Sequence, residues 1–167
     1  MDHKIVLADD HQIIRDGLRS MLATEPGFQV IGEAKDGRSA VELVLKLEPN
    51  LVIMDIGMPG LNGIEATLQI TKEKPETKVI ALSMHSDAQF VGRMLEAGAS
   101  AYLLKEGTFD ELRNAMQSVL NGQIYLSRGI TGVVVEDYLR QRTAQRRPIL
   151  NSLPRRSKWL ATSGHAQ

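Results

Sequence analysis

At 167 residues, 43% hydrophobic and 24% charged, the chain is long enough for one well-buried core and a smaller appendage. It holds no cysteine, no apolar run near the ~20 residues that span a bilayer, and no signal-peptide pattern before its first strand-like segment, so disulfides, thiolate chemistry and a membrane span are excluded and a cytoplasmic protein is expected. The zero net charge conceals a split that predicts two regions with different roles: 13 basic against 20 acidic residues through Leu139, net −7, then 7 basic and no acidic residues from Arg140, net +7.

The first apolar run, 5–8, has strand length, and Ile13, Ile14, Gly17, Leu18, Met21 and Leu22 follow it at helical spacing. A second strand is expected at 29–31, then a short helix marked by Val41, Val44 and Leu45, and a third strand at 51–54. Asn62-Gly63 opens a weaker helix around Ile64 and Leu68 that should stop before Pro75. A strand at 79–82 precedes a helix through Phe90, Val91, Met94 and Leu95. A strand at 101–104 precedes a helix through Leu112, Ala115, Met116, Val119 and Leu120. Most of the strand runs are continuous rather than alternating, as expected for strands buried on both faces of a parallel sheet.

Five strand–helix repeats predict a doubly wound α/β domain with a five-stranded parallel sheet over residues 1–122. Right-handed crossovers place helices on both faces, and ligands bind beyond the carboxyl ends of the strands. Residues 123–141 read as a linker, helical through Ile130, Val133, Val134 and Tyr138 despite a β-branched run. Residues 142–167 read as a basic, disordered tail with little periodicity.

The residues that follow the strands carry the chemistry. The first strand ends in Asp9-Asp10, the third in Asp55, the fourth in Ser83 and the fifth in Lys105. In a parallel sheet these positions share one edge. Singly, Asp9, Asp10 or Asp55 reads as a helix or turn cap, Ser83 as a loop residue and Lys105 as a solvated charge; their convergence at four of five strand ends changes the reading. Three clustered carboxylates repel one another and call for a cation. Oxygen ligands alone suit a hard ion, Mg²⁺ above all. A hydroxyl and an ammonium beside them can hold phosphoryl oxygens. The set favours phosphoryl transfer to a carboxylate.

The motifs at those positions are Asp9-Asp10, the stretch D-I-G-M-P-G-L-N-G from Asp55 to Gly63, Ser83, and A-G-A-S-A-Y-L-L-K from Ala97 to Lys105. On them the sequence resembles the response-regulator receiver family across roughly 1–125. The resemblance implies a flavodoxin-like strand order 2-1-3-4-5, an order the general rules for such folds give for a receiver protein. It implies that Asp55 is the phosphoacceptor and that Asp9, Asp10, Asp55 and the Gly57 carbonyl arrange Mg²⁺. Lys105 and Ser83 would hold the phosphoryl oxygens, and Tyr102 would turn inward as Ser83 moves.

Asp9-Asp10-His11, M-P-G-L-N-G-I-E-A and Leu103-Leu104-Lys105-Glu106 are similar to the NarL/FixJ class, in which a linker helix joins the receiver to a LuxR-type helix-turn-helix. Asn151-Ser152-Leu153-Pro154-Arg155 resembles the opening of that effector domain, and the remainder reads as a truncated or altered remnant of it. The partners implied are a sensor histidine kinase, small phosphodonors and a second copy of the chain. DNA would be reached only through an effector domain.

Two rival readings are weaker. Haloacid-dehalogenase phosphatases form an aspartyl-phosphate but carry a second Asp two residues on, where this chain has Gly57. The basic tail alone would give only salt-sensitive contact with DNA phosphates, because no recognition helix accompanies it. His3, His11, His85 and His165 show no metal-ligand spacing, although His85, two residues after Ser83, is placed to tune access of water. Met94 and Met116 read as core, and Trp159 as an isolated aromatic.

Overall fold

The computed structural model describes residues 2–152. Trp159, His165 and the tail from 153 onward lie outside the described residues. In chain order the elements are β1 (His3–Ala8), α1 (Gln12–Ala23), β2 (Phe28–Ala34), α2 (Gly37–Leu47), β3 (Leu51–Met54), α3 (Gly63–Glu73), β4 (Lys78–Ser83), α4 (Ala88–Glu96), β5 (Ala101–Leu104), α5 (Phe109–Leu120), β6 (Tyr125–Leu126) and α6 (Arg128–Ser152). No described helix is long and apolar enough to cross a membrane.

The sheet is parallel throughout, in the order β2-β1-β3-β4-β5-β6. The expected doubly wound architecture and its order are present, with one correction: the sheet has six strands rather than five. β6 is two residues long, pairing Tyr125 with Ala101 and Leu126 with Tyr102. A run that short leaves no periodicity to read. It forms because the Gly122 turn, at φ +81°, returns the chain to the open edge of β5. Beyond it, the Ser127 N–H donates to the Tyr102 carbonyl at 3.1 Å, at the root of α6. The segment expected as a linker helix over 123–141 thus begins with a strand, and α6 runs on past 141 to Ser152. A boundary between two compact units falls inside that helix, at Val133/Val134.

Burial explains which sequence stripes matter. Leu51, Val52, Ile53 and Met54 in β3 and Val79, Ile80 and Ala81 in β4 are at most 2% exposed, as central strands covered on both faces require. Leu112, Ala115, Met116 and Val119 seat α5 on this core, and Met94 seats α4. Each buried Val, Leu, Ile or Met side chain contributes roughly 2 kcal/mol, and each alanine less. On α1 the expected stripe was too wide: Leu18 and Leu22 are buried with Ile14 packed beside them, whereas Ile13 is 86% and Met21 42% exposed. Positions four apart stay on one face, and the row 13–17–21 turns one residue away from it.

Local capping sets the loops that carry the strand ends. The Asn62 side chain accepts from the Ile64 and Glu65 N–H groups at 2.9 and 3.0 Å and starts α3. The helix stops at Glu73, before Pro75 as expected. Two glycines then let backbones meet. A Cβ on Gly63 would lie 2.1 Å from the Asp55 carbonyl oxygen, and one on Gly37 would lie 1.9 Å from that of Leu61. Neither oxygen belongs to a flexible side chain, so neither clash is easily relieved. Gly63→Ala is therefore expected to cost about 3 kcal/mol in urea unfolding, the upper end for overpacking. A cost below about 0.5 kcal/mol, the scale of a neutral surface change, would show that the loop yields.

Candidate functional site

The carboxyl ends of β1, β3, β4 and β5 bring the expected residues to one edge. Asp9 (4% exposed) follows β1, its N–H bonded to the Ala34 carbonyl of β2 at 3.0 Å. Asp55 (5% exposed) follows β3, its N–H bonded to the Ala8 carbonyl of β1 at 2.8 Å. Lys105 follows β5, its N–H bonded to the Ser83 carbonyl of β4 at 2.8 Å. Sheet hydrogen bonds therefore continue one residue past each strand and fix where these side chains start.

From there the side chains converge. The Lys105 ammonium lies 2.8 Å from Asp9 Oδ2 and 3.2 Å from Asp55 Oδ1, all three side chains being 5–6% exposed. Asp10 is exposed at the rim. One oxygen from each of Asp9, Asp10 and Asp55, together with a ring nitrogen of His11, lie within 4.8 Å of one another. Three carboxylates and one ammonium leave a formal charge of −2, which suits a divalent cation. The separations suit it also, since donors on opposite sides of one ion stand about 4.2 Å apart at Mg–O bond lengths.

Electrostatics follow from burial. The Asp55 carboxyl is pushed above its ordinary value, first by burial and then by the charge of Asp9, with Lys105 and the Gly57 N–H pulling the other way. Burial alone would lower the Lys105 ammonium, but its hydrogen bonds and charge interactions with Asp9 and Asp55 outweigh that and raise it. The two aspartates and the lysine hold one another in a shared, partly compensated state.

Ser83, the last residue of β4, is fully buried, and its Oγ accepts from the His85 N–H at 3.0 Å. That bond uses an oxygen lone pair of the hydroxyl, not its proton. Tyr102 in β5 is fully buried, its hydroxyl donating to the His85 carbonyl at 2.7 Å. It already occupies an inward position. Burial raises its hydroxyl above the ordinary value, with Ser83 opposing. His85 itself stacks on Phe90 with ring centroids 4.6 Å apart. Gly57 lies exposed in the loop after Asp55.

Two neighbours were not legible as site residues. Arg15 donates from Nη1 to the Asp9 carbonyl at 2.5 Å and from Nε to Glu33 at 3.3 Å, bracing the turn between β1 and α1. His11, set aside with the other histidines, lies inside the acidic group. Its place directly after Asp9-Asp10 was the available signal.

The model of the response regulator receiver domain matches residues 5–117. The chain belongs to the response-regulator receiver family. This receiver is 43% identical over 137 residues to the transcriptional regulatory protein DegU of Brevibacillus brevis, covering 82% of the chain and 58% of DegU. It is 39% identical over 132 residues to the transcriptional regulatory protein LiaR of Bacillus subtilis (strain 168), covering 79% of the chain and 63% of LiaR. Among solved structures, a LuxR-family two-component response regulator from Aurantimonas sp. SI85-9A1 superposes with a TM-score of 0.79 at 34% identity. The match covers 83% of this chain and 99% of that one. The chain therefore spans about three fifths of the length of these curated relatives, which are transcription regulators of the NarL/FixJ, or LuxR, class expected from the motifs. Proteins of this family work in two-component signalling. Sensor histidine kinases phosphorylate them, an acidic pocket binds Mg²⁺, and DNA is bound through effector domains.

Proposed function

We propose that this receiver accepts a phosphoryl group on Asp55 from a partner histidine kinase or a small phosphodonor, and that its chemistry is limited to gaining and losing that group. The supporting observation is the buried Lys105 ammonium spanning Asp9 and Asp55 at 2.8 and 3.2 Å in a pocket of formal charge −2. Residues 1–122, with β6 completing the sheet, form the receiver, 123–141 lead out of it as the linker, the segment 142–167 is basic, and DNA control runs through an effector domain of the regulator. Self-association of the receiver is a further expected partner interaction.

In the forward step an Asp55 carboxylate oxygen attacks phosphorus. The bond from phosphorus to the donor's oxygen or nitrogen breaks, and the leaving group keeps the electron pair. Attack of water on the same phosphorus reverses the modification. Asp9, Asp10, Asp55 and the Gly57 carbonyl would hold Mg²⁺, which when bound supplies compensation for the charge on the phosphoryl oxygens. Lys105 turns from the Asp55 carboxylate to a phosphoryl oxygen. Ser83 turns its hydroxyl proton to another, and Tyr102 holds the inward space behind it. A new dianionic group thus draws donors from β4 and β5 toward β3.

Incubation with Mg²⁺ and a small phosphodonor should add one phosphoryl group to the intact chain, released by hydroxylamine as an acyl phosphate is, and prevented by EDTA. An acid-stable, hydroxylamine-resistant product would overturn the reading.

A further inference from the structure

The acidic pocket carries one nitrogen donor. His11 Nδ1 lies 3.0 Å from Asp9 Oδ1 and 3.1 Å from Asp10 Oδ1. The residue occupies the N-cap position of α1 but makes no side-chain capping bond, so the ring is not held there by helix capping. Its main-chain N–H donates to Asp9 Oδ1 at 2.8 Å, which ties its Cα to the carboxylate. The side chain is 61% exposed, which gives the ring room to turn about its Cβ.

The spacing has two explanations. A single Nδ1–H can point at only one oxygen at a time, yet Nδ1 stands almost equally close to two. Neighbouring donors around one six-coordinate ion with bonds near 2.1 Å stand about 3.0 Å apart, the same spacing. Both separations from Nδ1, 3.0 and 3.1 Å, therefore match the spacing of adjacent corners around one ion, and the two carboxylate oxygens lie within 4.8 Å of each other.

We infer that His11 Nδ1 is a ligand to the divalent cation of this receiver, and that it shifts the pocket's preference from Mg²⁺ toward first-row transition ions, of which Mn²⁺ is the paramagnetic probe used below. The inference rests on the proposed metal role of Asp9, Asp10 and Asp55. Mg²⁺ takes oxygen donors and gains little from imidazole, whereas first-row transition ions bind imidazole well. His11 becomes a determinant of which ion fills the site.

The test titrates the full chain with Mn²⁺ and with Mg²⁺, following bound Mn²⁺ by electron paramagnetic resonance and probing the bound ion for nitrogen by electron spin echo modulation. The parent should show ¹⁴N modulation. In His11→Gln the modulation should vanish and Mn²⁺ affinity should fall at least about tenfold, the smaller end of losses seen when metal-site partners are removed. Mg²⁺ affinity should change by less than about twofold, because oxygen donors hold that ion. Mn²⁺ bound by the parent without ¹⁴N modulation, modulation that persists in His11→Gln, or an equal loss of both ions would each overturn the role of His11. The variant Asp10→Asn serves as the control. If it leaves Mn²⁺ and Mg²⁺ binding unchanged, the acidic-pocket reading itself fails, an outcome distinct from failure of the histidine.

Discussion

Asp55→Asn should take up no phosphoryl group under conditions that modify the parent completely, and in metal-free buffer at neutral pH it should be the more stable protein. The first result follows because the amide lacks the anionic oxygen that attacks phosphorus, and the intact mass reads it directly. Undiminished labelling would move the acceptor to another residue. The second result follows from the raised carboxyl of Asp55, whose causes are burial and then Asp9. A group raised in the folded state favours its neutral form there. Its contribution is therefore fully present below the unfolded value and is lost as pH rises through the folded value. The parent loses that contribution progressively as pH rises above the unfolded value, while the variant has nothing to ionise. The difference in melting temperature should be small at about pH 3, below the ordinary aspartate value, and should favour Asn at neutrality. A difference of opposite sign at neutrality would mean that Lys105 compensates Asp55 more fully than burial penalises it.

Lys105→Met should cost about 3 kcal/mol in unfolding free energy without metal, the lower end for removing one partner of a buried ion pair. The methionine fills similar volume, so lost packing is a minor part. The cost arises because Asp9 and Asp55, 4% and 5% exposed, are left facing each other without their cation. The raised ammonium contributes fully below the ordinary lysine value and is lost only as pH rises through its folded value, so the whole contribution is present at neutrality. Two further readouts separate this origin from a packing defect. Added Mg²⁺ should stabilise the variant more than the parent, because it compensates the same carboxylates. Lowering the pH through the carboxylate range should also shrink the deficit. A deficit indifferent to both would point to packing.

The sequence made the sheet readable because four of its strands, β1, β3, β4 and β5, hold continuous apolar runs, and Asp9, Asp10, Asp55, Ser83 and Lys105 were readable because they follow them. The architecture then does the rest: parallel strands align their carboxyl ends whatever the loop lengths. β6 was not legible, because two residues offer no period and its pairing depends on where the Gly122 turn points. Ile13 and Met21 were assigned to a buried face because a one-dimensional stripe does not say how wide the covering surface is. Arg15 was missed for a different reason: its contacts depend on a side chain reaching back across a turn, which spacing along the chain does not encode. His11 adjoins Asp9-Asp10 in the sequence, and that adjacency was the signal passed over.

Tyr102 holds two neighbours at once. Its hydroxyl donates to the His85 carbonyl after β4, and its own carbonyl accepts from Ser127 at the root of α6. The first tie belongs to the side chain and disappears with a single oxygen atom. The second belongs to the peptide unit and is present whatever residue stands at 102. A substitution series at this position can therefore edit the aromatic tie while leaving the strand-to-helix tie in place. Only one half of the bridge between the two loops is written in the genetic code's side-chain alphabet.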